Sequence, residues 1–413
     1  MSKLEELIQE LCPGGVKYAK IGEVAECVAG ATPKTAIAAY WENGTISWMS
    51  SGEVNNKVIY ETEAKISQEG YDSCSTKMVP PNTVVIALAG QGKTRGTVAI
   101  TRIELCTNQS LCSIITKDGL LPDFLYHYLS GQYVKLRDIS SGDGTRGGLN
   151  LKMIRDFYVP LPPLPVQQEI VRILDSFTGL TAELTAELTA RRKQYEYYRD
   201  ELLTFGDNVP MATLGDVAVV TKLAGFEFTK YVRYSDSGNI IALRGLNVKN
   251  GKLDLTDVKY IDNSDFSKLT RSKLHVGDML FTYVGTIGQV ALIDEEDKYY
   301  LAPNVALIRS IDDRLSPQYM RYYFQSSNFW KTQINKLLQA SSMQNIPMEK
   351  IRKFAIPLPS LEEQRRIISS LDRFDALCND LTSGLPAEIE ARQKQYEYYR
   401  DKLLKFKSLS RNS

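Results

Sequence analysis

The chain repeats itself, and the repeat limits what it can fold into. "KQYEYYRDELLTF" at 193–205 returns as "KQYEYYRDKLLKF" at 394–406. "RDFYVPLPPLPVQQEIVRILDSF" at 155–177 returns as "RKFAIPLPSLEEQRRIISSLDRF" at 352–374. The two registers differ by a four-residue change in length between Asp175 and Arg191 relative to Asp372 and Arg392. Upstream, "GVKYAKIGEVAEC" (15–27) is echoed by "NVPMATLGDVAVV" (208–220), and Leu4–Leu11 resembles the end of the repeated helix. The order is therefore helix end, domain, long helix, domain, long helix, like a ring cut once. This predicts an α+β molecule with pseudo-two-fold symmetry. Its parts are an N-terminal helix at 1–14, globular domains at 15–158 and 207–355, and long helices at 159–206 and 356–413.

The long helices carry their own signal. Apolar or aromatic residues stand at Ile170, Ile173, Phe177, Leu180, Leu184, Leu188, Tyr195, Tyr198, Leu202 and Phe205. Their three-and-four spacing is that of a coiled coil, with one 4-4 step that marks a stutter. The stutter lies in "TAELTAEL" (181–188), a tandem duplication that makes Thr181, Leu184, Thr185 and Leu188 the expected spacer. In the second copy Ser383-Gly384-Leu385-Pro386 should break the helix, since Gly can close one helix and Pro open the next. Two such helices pack most simply antiparallel. Three tyrosines within four residues cannot all face one partner helix. Tyr197, Tyr198, Tyr398 and Tyr399 are therefore candidates for docking another subunit, with coil packing the plainer role for those on the seam.

One stretch imitates an ATPase. "ALAGQGKT" (87–94) fits a loose phosphate-loop pattern, but a phosphate loop needs a helix after it. "RGTVAI" (95–100) reads instead as a second strand, which makes the stretch a hairpin. The second copy, within "HVGDMLFTYVGTIGQVALI" (275–293), keeps strand, Gly turn and strand and has no Gly-Lys-Thr.

Apolar content of 43% and charged content of 24% suit an ordinary globular chain, and its 413 residues allow two or three domains. No apolar run is long enough to span a membrane. Six scattered cysteines without a C-x-x-C pair, and only two histidines, leave no expected metal site and fit the cytoplasm. No methyltransferase, protease, hydrolase or nuclease motif is complete, so no catalytic residues are expected. A net charge of +1 does not by itself announce a polyanion partner.

The P-L-P-x-L…Q…I…L-D segments, the paired "RxKQYEYYRD" helices, "TAELTAEL" and the circular order together resemble the specificity subunits of type I restriction-modification systems. The resemblance covers nearly the whole chain. It implies two target-recognition domains, separated by two antiparallel helices, that read a split, asymmetric target on double-stranded DNA. It implies no catalytic activity in this chain. The implied partners are two methyltransferase subunits and restriction (translocase) subunits, which bring the S-adenosylmethionine, ATP and Mg chemistry. The alternative is a coiled-coil adaptor that binds proteins without DNA specificity.

On that reading, Gln91, Lys93, Thr94 and Arg95 in the first domain and Thr286 and Gln289 in the second are expected at DNA. Gln and Arg can pair with base edges, and Lys supplies phosphate charge. Thr145, Arg146, Gln344 and Asn345, in polar loops near the domain ends, are further candidates. A solvated turn is the plain alternative for all of them.

Overall fold

A computed structural model describes residues 2–90, 94–140, 148–223, 230–339, 345–380 and 383–409. It forms two compact units, Met1–Leu184 with Ile389–Ser413, and Thr185–Glu388. One division falls between Leu184 and Thr185, inside the Thr-Ala-Glu-Leu duplication. Each unit therefore combines one globular domain with parts of both long helical segments.

In the first unit a five-stranded sheet runs in the order Ala25–Ala29, Leu111–Thr116, Val84–Ala87, Val98–Thr101, Val58–Ile59. In the second, Ala218–Lys222, Val305–Ser310, Met279–Thr282 and Val290–Leu292 follow the same order and lack only the edge strand. Both sheets are covered on two faces. Val84, Ile86, Val98 and Ile100 enter a core shared with the helix Pro122–Ser130, while Val85, Ala87 and Ala99 pack with Met49 and Val54. Met279 and Phe281, against Leu280 and Ala291, do the same in the second unit. Burial on both faces explains why these strands read as continuous apolar runs rather than as alternation.

The Q of the repeated P-L-P segment is a clamp. Gln167 is fully buried; its Nε2 donates to the carbonyls of Gly119 and Pro162, both at 2.8 Å, and its Oε1 accepts from Leu121 N at 2.9 Å. Gln364 does the same with Arg314 O, Pro359 O and Ser316 N at 2.7, 2.9 and 2.9 Å. One amide thus ties the start of the long helix to the loop before the Pro-led helix of its own domain.

The central helix is Leu164–Leu202, 39 residues. The predicted seam accounts for only part of its burial. Leu174 is fully buried and Leu180 is exposed, because the helix also faces the globular core of the first unit. Leu203, just past the helix end, is likewise fully buried in the core of the second. The C-terminal segment breaks where Gly384-Leu385-Pro386 stands, into Leu361–Asn379 and Leu385–Leu403. A Cβ on Gly384 would lie 2.6 Å from the carbonyl oxygen of Ala376, so glycine is required there. The six cysteines are free thiols.

Candidate nucleic-acid interface

In each unit two neighbouring strands of the sheet are joined by a glycine-bounded turn. Val84–Ala87 pairs antiparallel with Val98–Thr101, Ala87 N donates to Thr97 O at 3.0 Å and Gly96 N to Ala87 O at 2.9 Å. In the second unit Thr282 N donates to Gln289 O at 2.9 Å and Gly288 N to Thr282 O at 2.8 Å. Gly90 and Gly96 have φ of +142° and +82°, and Gly285 and Gly288 have +74° and +84°, so both turns use left-handed glycines at matching places. Residues 91–95 stand between the glycines of the first turn and only Thr286-Ile287 between those of the second. The Gly-Lys-Thr triplet belongs to this extension. A strand, and no helix, follows it.

The turn and the polar loop, separate candidates in the sequence, are neighbours in space. Leu149 N donates to Leu88 O at 2.9 Å, and Ile346 N donates to Tyr283 O at 2.9 Å. Asn345, exposed, bridges Val284 directly. Thr286 is exposed, and its carbonyl accepts from the Thr282 hydroxyl, which leaves its side chain clear of the turn's own bonding. Gln289 is half-buried and its Oε1 accepts from Asn250 N at 3.0 Å, so part of its amide braces a neighbouring hairpin. Thr94 is half-buried, with its hydroxyl 3.4 Å from Ala89 O. Arg95 differs from the expectation: it is 7% exposed, and its Nε is buried with no hydrogen-bond partner. Gln91, Lys93, Thr145, Arg146 and Gln344 lie outside the described residues.

Sequence reasoning missed a cleft beside the second turn. A cavity of about 480 Å³ is lined by Thr286 and Gly285 together with Tyr234, Arg244, Pro303 and Asn304. Arg244 is anchored at one end, Nη2 donating to the carbonyl and to Oδ1 of Asp257, each at 2.8 Å, while its Nε is buried without a partner. Its counterpart in the first unit is Ser50. Ser50 N donates to a Glu53 carboxylate oxygen as Arg244 N donates to Asn247 Oδ1, and Asn108 N donates to Met49 O as Ala302 N does to Leu243 O. Aligning "WMSSGEV" (48–54) with "ALRGLNV" (242–248) would have exposed this Ser-for-Arg difference.

The tyrosine clusters divide as their helical spacing requires. Tyr195 and Tyr396 are buried, and burial pushes the Tyr195 phenol up to about 12 and that of Tyr396 upward as well. Tyr198 stacks on Phe374 at 5.6 Å and Tyr399 on Phe177 at 5.2 Å. Tyr197 and Tyr398 are 65% and 62% exposed. They meet Tyr198 and Tyr399 edge to face at 5.5 Å and 77°, and at 5.3 Å and 78°. Of the spacer residues, Thr181 and Leu184 are half-buried, Thr185 is exposed and Leu188 is buried. Among the described residues no helix is long and apolar enough to cross a membrane, and no cluster of three metal-ligating side chains occurs.

The family model for the type I restriction modification DNA specificity domain matches this chain twice, over residues 13–191 and 207–391. The chain belongs to that family. A putative type I restriction enzyme specificity subunit of Haemophilus influenzae is 34% identical over 300 residues, covering 70% of this chain and 74% of the relative. A specificity subunit of a type I restriction enzyme of Escherichia coli is 32% identical over 282 residues, 65% of this chain and 68% of the relative. A chain from a structural study of complex assembly and conformational transition of the type I restriction-modification system shares the fold, with a TM-score of 0.61 at 16% identity over 96% of this chain and 99% of that one. This specificity subunit is a DNA-recognition protein of two repeated domains, and it is non-catalytic.

Proposed function

We propose that the two globular domains, 15–158 and 207–355, read the two unlike halves of a bipartite target, each through its glycine-bounded turn and the adjoining polar loop. The observation that carries this is one scaffold built twice with different display residues. The first turn is three residues longer than the second, and Ser50 stands where the second unit has Arg244. Thr286 and Asn345 are the most available of the described contacts, with Arg244 beside them. Buried Arg95 acts on the shape of its turn, and Gln91, Lys93, Thr94, Thr145, Arg146, Gln289 and Gln344 complete the proposed surface. The near-neutral charge is tolerable if other subunits supply much of the phosphate contact.

The exposed pairs Tyr197–Tyr198 and Tyr398–Tyr399 are proposed to dock two methyltransferase subunits. Aromatic pairs are favoured at the centres of protein interfaces. Restriction subunits join that assembly in the cytoplasm, and the S-adenosylmethionine, ATP and Mg chemistry resides in the partners.

The test is to co-produce the chain with its methyltransferase subunit, map methylated sites, and compare binding to target and random duplexes. Methylation of one split target, with binding that weakens as salt rises, is expected. A complex that assembles but discriminates no DNA sequence would leave a protein-binding adaptor. Tyr197→Ala and Tyr398→Ala should each lower the ratio of methyltransferase to this chain from two toward one.

A further inference from the structure

A further cavity lies in the first unit. It measures about 730 Å³ and opens beside Tyr128, Gln132, Lys135, Lys152 and Tyr158. The second unit explains what it lacks. There the helix after Pro317–Gln325 contains a single π turn, Trp330–Ile334, which carries Gln333. Gln333 Nε2 donates to Ala355 O at 2.9 Å, and Ala355 N donates back to Oε1 at 2.6 Å. A carboxamide thus completes both main-chain groups of Ala355.

Tyr158 is the counterpart of Ala355. It opens the strand Tyr158–Leu161 opposite Lys20, as Ala355 opens Ala355–Pro357 opposite Thr213. Tyr128 OH donates to Tyr158 O at 3.3 Å, as Tyr323 OH donates to Ala355 O at 3.2 Å. Ile21 N donates to Phe157 O at 2.9 Å, so antiparallel alternation turns the next pair's groups outward, and Tyr158 N–H points away from its strand partner. Among the described residues nothing accepts from it. The local helix here is only Tyr133–Asp138 and supplies no Gln. Gln132 Oε1 is also buried with no partner. Lys135 and Lys152 are exposed at the rim, and neither forms an ion pair among the described residues.

We propose that this cavity is a docking site for a segment of a partner protein that inserts an Asn or Gln carboxamide, flanked by acidic residues. The amide oxygen accepts from Tyr158 N, its NH2 donates to Tyr158 O and Gln132 Oε1, and the flanking carboxylates meet Lys135 and Lys152. In the second unit Gln333 already occupies the matching place. None of the residues that line the cavity is among those proposed to meet DNA.

The probe is the blocked tripeptide Ac-Asp-Gln-Asp-NH2, with Ac-Asp-Glu-Asp-NH2 as control, titrated into the full chain labelled with ¹⁵N-tyrosine. The Tyr158 amide, assigned by its disappearance in Tyr158→Phe, should shift with the Gln peptide and at least tenfold less readily with the Glu peptide. The extra charge of the control favours the lysines, so a preference for Gln reports the amide. Met153→Trp, which fills the cavity without touching these groups, should abolish the shift at unchanged Tm. Gln333→Ala does not alter the Tyr158 cavity, so the Tyr158 shift should persist in it unchanged. No shift, an equal shift with the Glu peptide, or a shift that survives Met153→Trp would each overturn the proposal.

Discussion

Val16 N donates to Lys407 O at 2.8 Å, and Leu409 N returns to Val16 O at 3.0 Å. In the second unit the matching bond joins residues three apart in one continuous segment, Val209 N to Gly206 O at 3.3 Å. The two ends of the chain are thus stitched at the point where the other copy is covalently continuous. Gly15 makes the stitch possible: its φ is +112°, and a Cβ there would stand 2.4 Å from Lys407 O. Gly15→Ala should destabilise the first unit by about 1–3 kcal/mol and leave the second unchanged. Hydrogen exchange resolved by unit would check this, and equal loss of protection in both units would contradict it.

Removing the clamp should be costly in either copy. Gln167→Ala leaves Leu121 N, Gly119 O and Pro162 O without their partner, a loss of about 2–4 kcal/mol in urea unfolding. Gln364→Ala should match it. Gln167→Glu should not rescue, because a carboxylate cannot donate to two carbonyls.

Acid should loosen the first unit through a particular carboxylate. Arg172, and after it Lys3, hold the Glu169 carboxyl down to about 2. A lowered native value contributes stability in full above the unfolded value of about 4.3, and that contribution is lost as pH falls from there toward about 2. Arg172→Ala should flatten the stability profile within this window and nowhere above it. An unchanged profile between those limits would show that the pair carries no linkage.

Arg244→Ala should relax one position of one half-site, worth about 1–3 kcal/mol of discrimination, with the other half-site read as before. Because Arg244 also holds Asp257, Arg244→Lys and a melting curve separate lost reading from lost folding. Identical methylation maps for wild type and both variants would remove Arg244 from the reading surface.

The spacer makes a graded prediction. One Thr-Ala-Glu-Leu unit adds about 6 Å of helix and about 400° of turn, so the apolar face returns to within roughly 40°. Variants with one, two and three units should fold and keep both half-sites. The unspecified gap should lengthen by one or at most two base pairs per unit, since base pairs rise about 3.4 Å each. A constant gap across the series would mean that these helices do not set the spacing.

Much of this was legible in the sequence, for stated reasons. The repeat announced two equivalent sheets because homologous strings must satisfy the same backbone hydrogen bonds. Gly384 and Pro386 announced the helix break because each restricts the backbone by its own covalent structure. The hairpin was readable because Gly96 and Val98 disfavour a helix start. Direction was not readable. Arg95 looked like a displayed cation and is buried, since residue type on a turn says nothing about which side of it the side chain takes. The Gln167 clamp and the Arg244 cleft join residues tens of positions apart, and no local period records such meetings. Leu174 escaped the seam pattern because a helix facing both a coil partner and a domain core carries two superposed periods.

The twin tyrosine pairs have one more implication. Their rings meet at 5.5 Å and 77° in one copy and at 5.3 Å and 78° in the other. A protein that touched only these rings would find two degenerate seats and have no means of telling them apart. Half-loaded particles would then exist as a pair of positional isomers in near-equal amounts, interconverting only by release and rebinding. Any polarity in the finished assembly must then enter through features in which the two units differ, such as Ser50 against Arg244 or the turn that is three residues longer in the first unit.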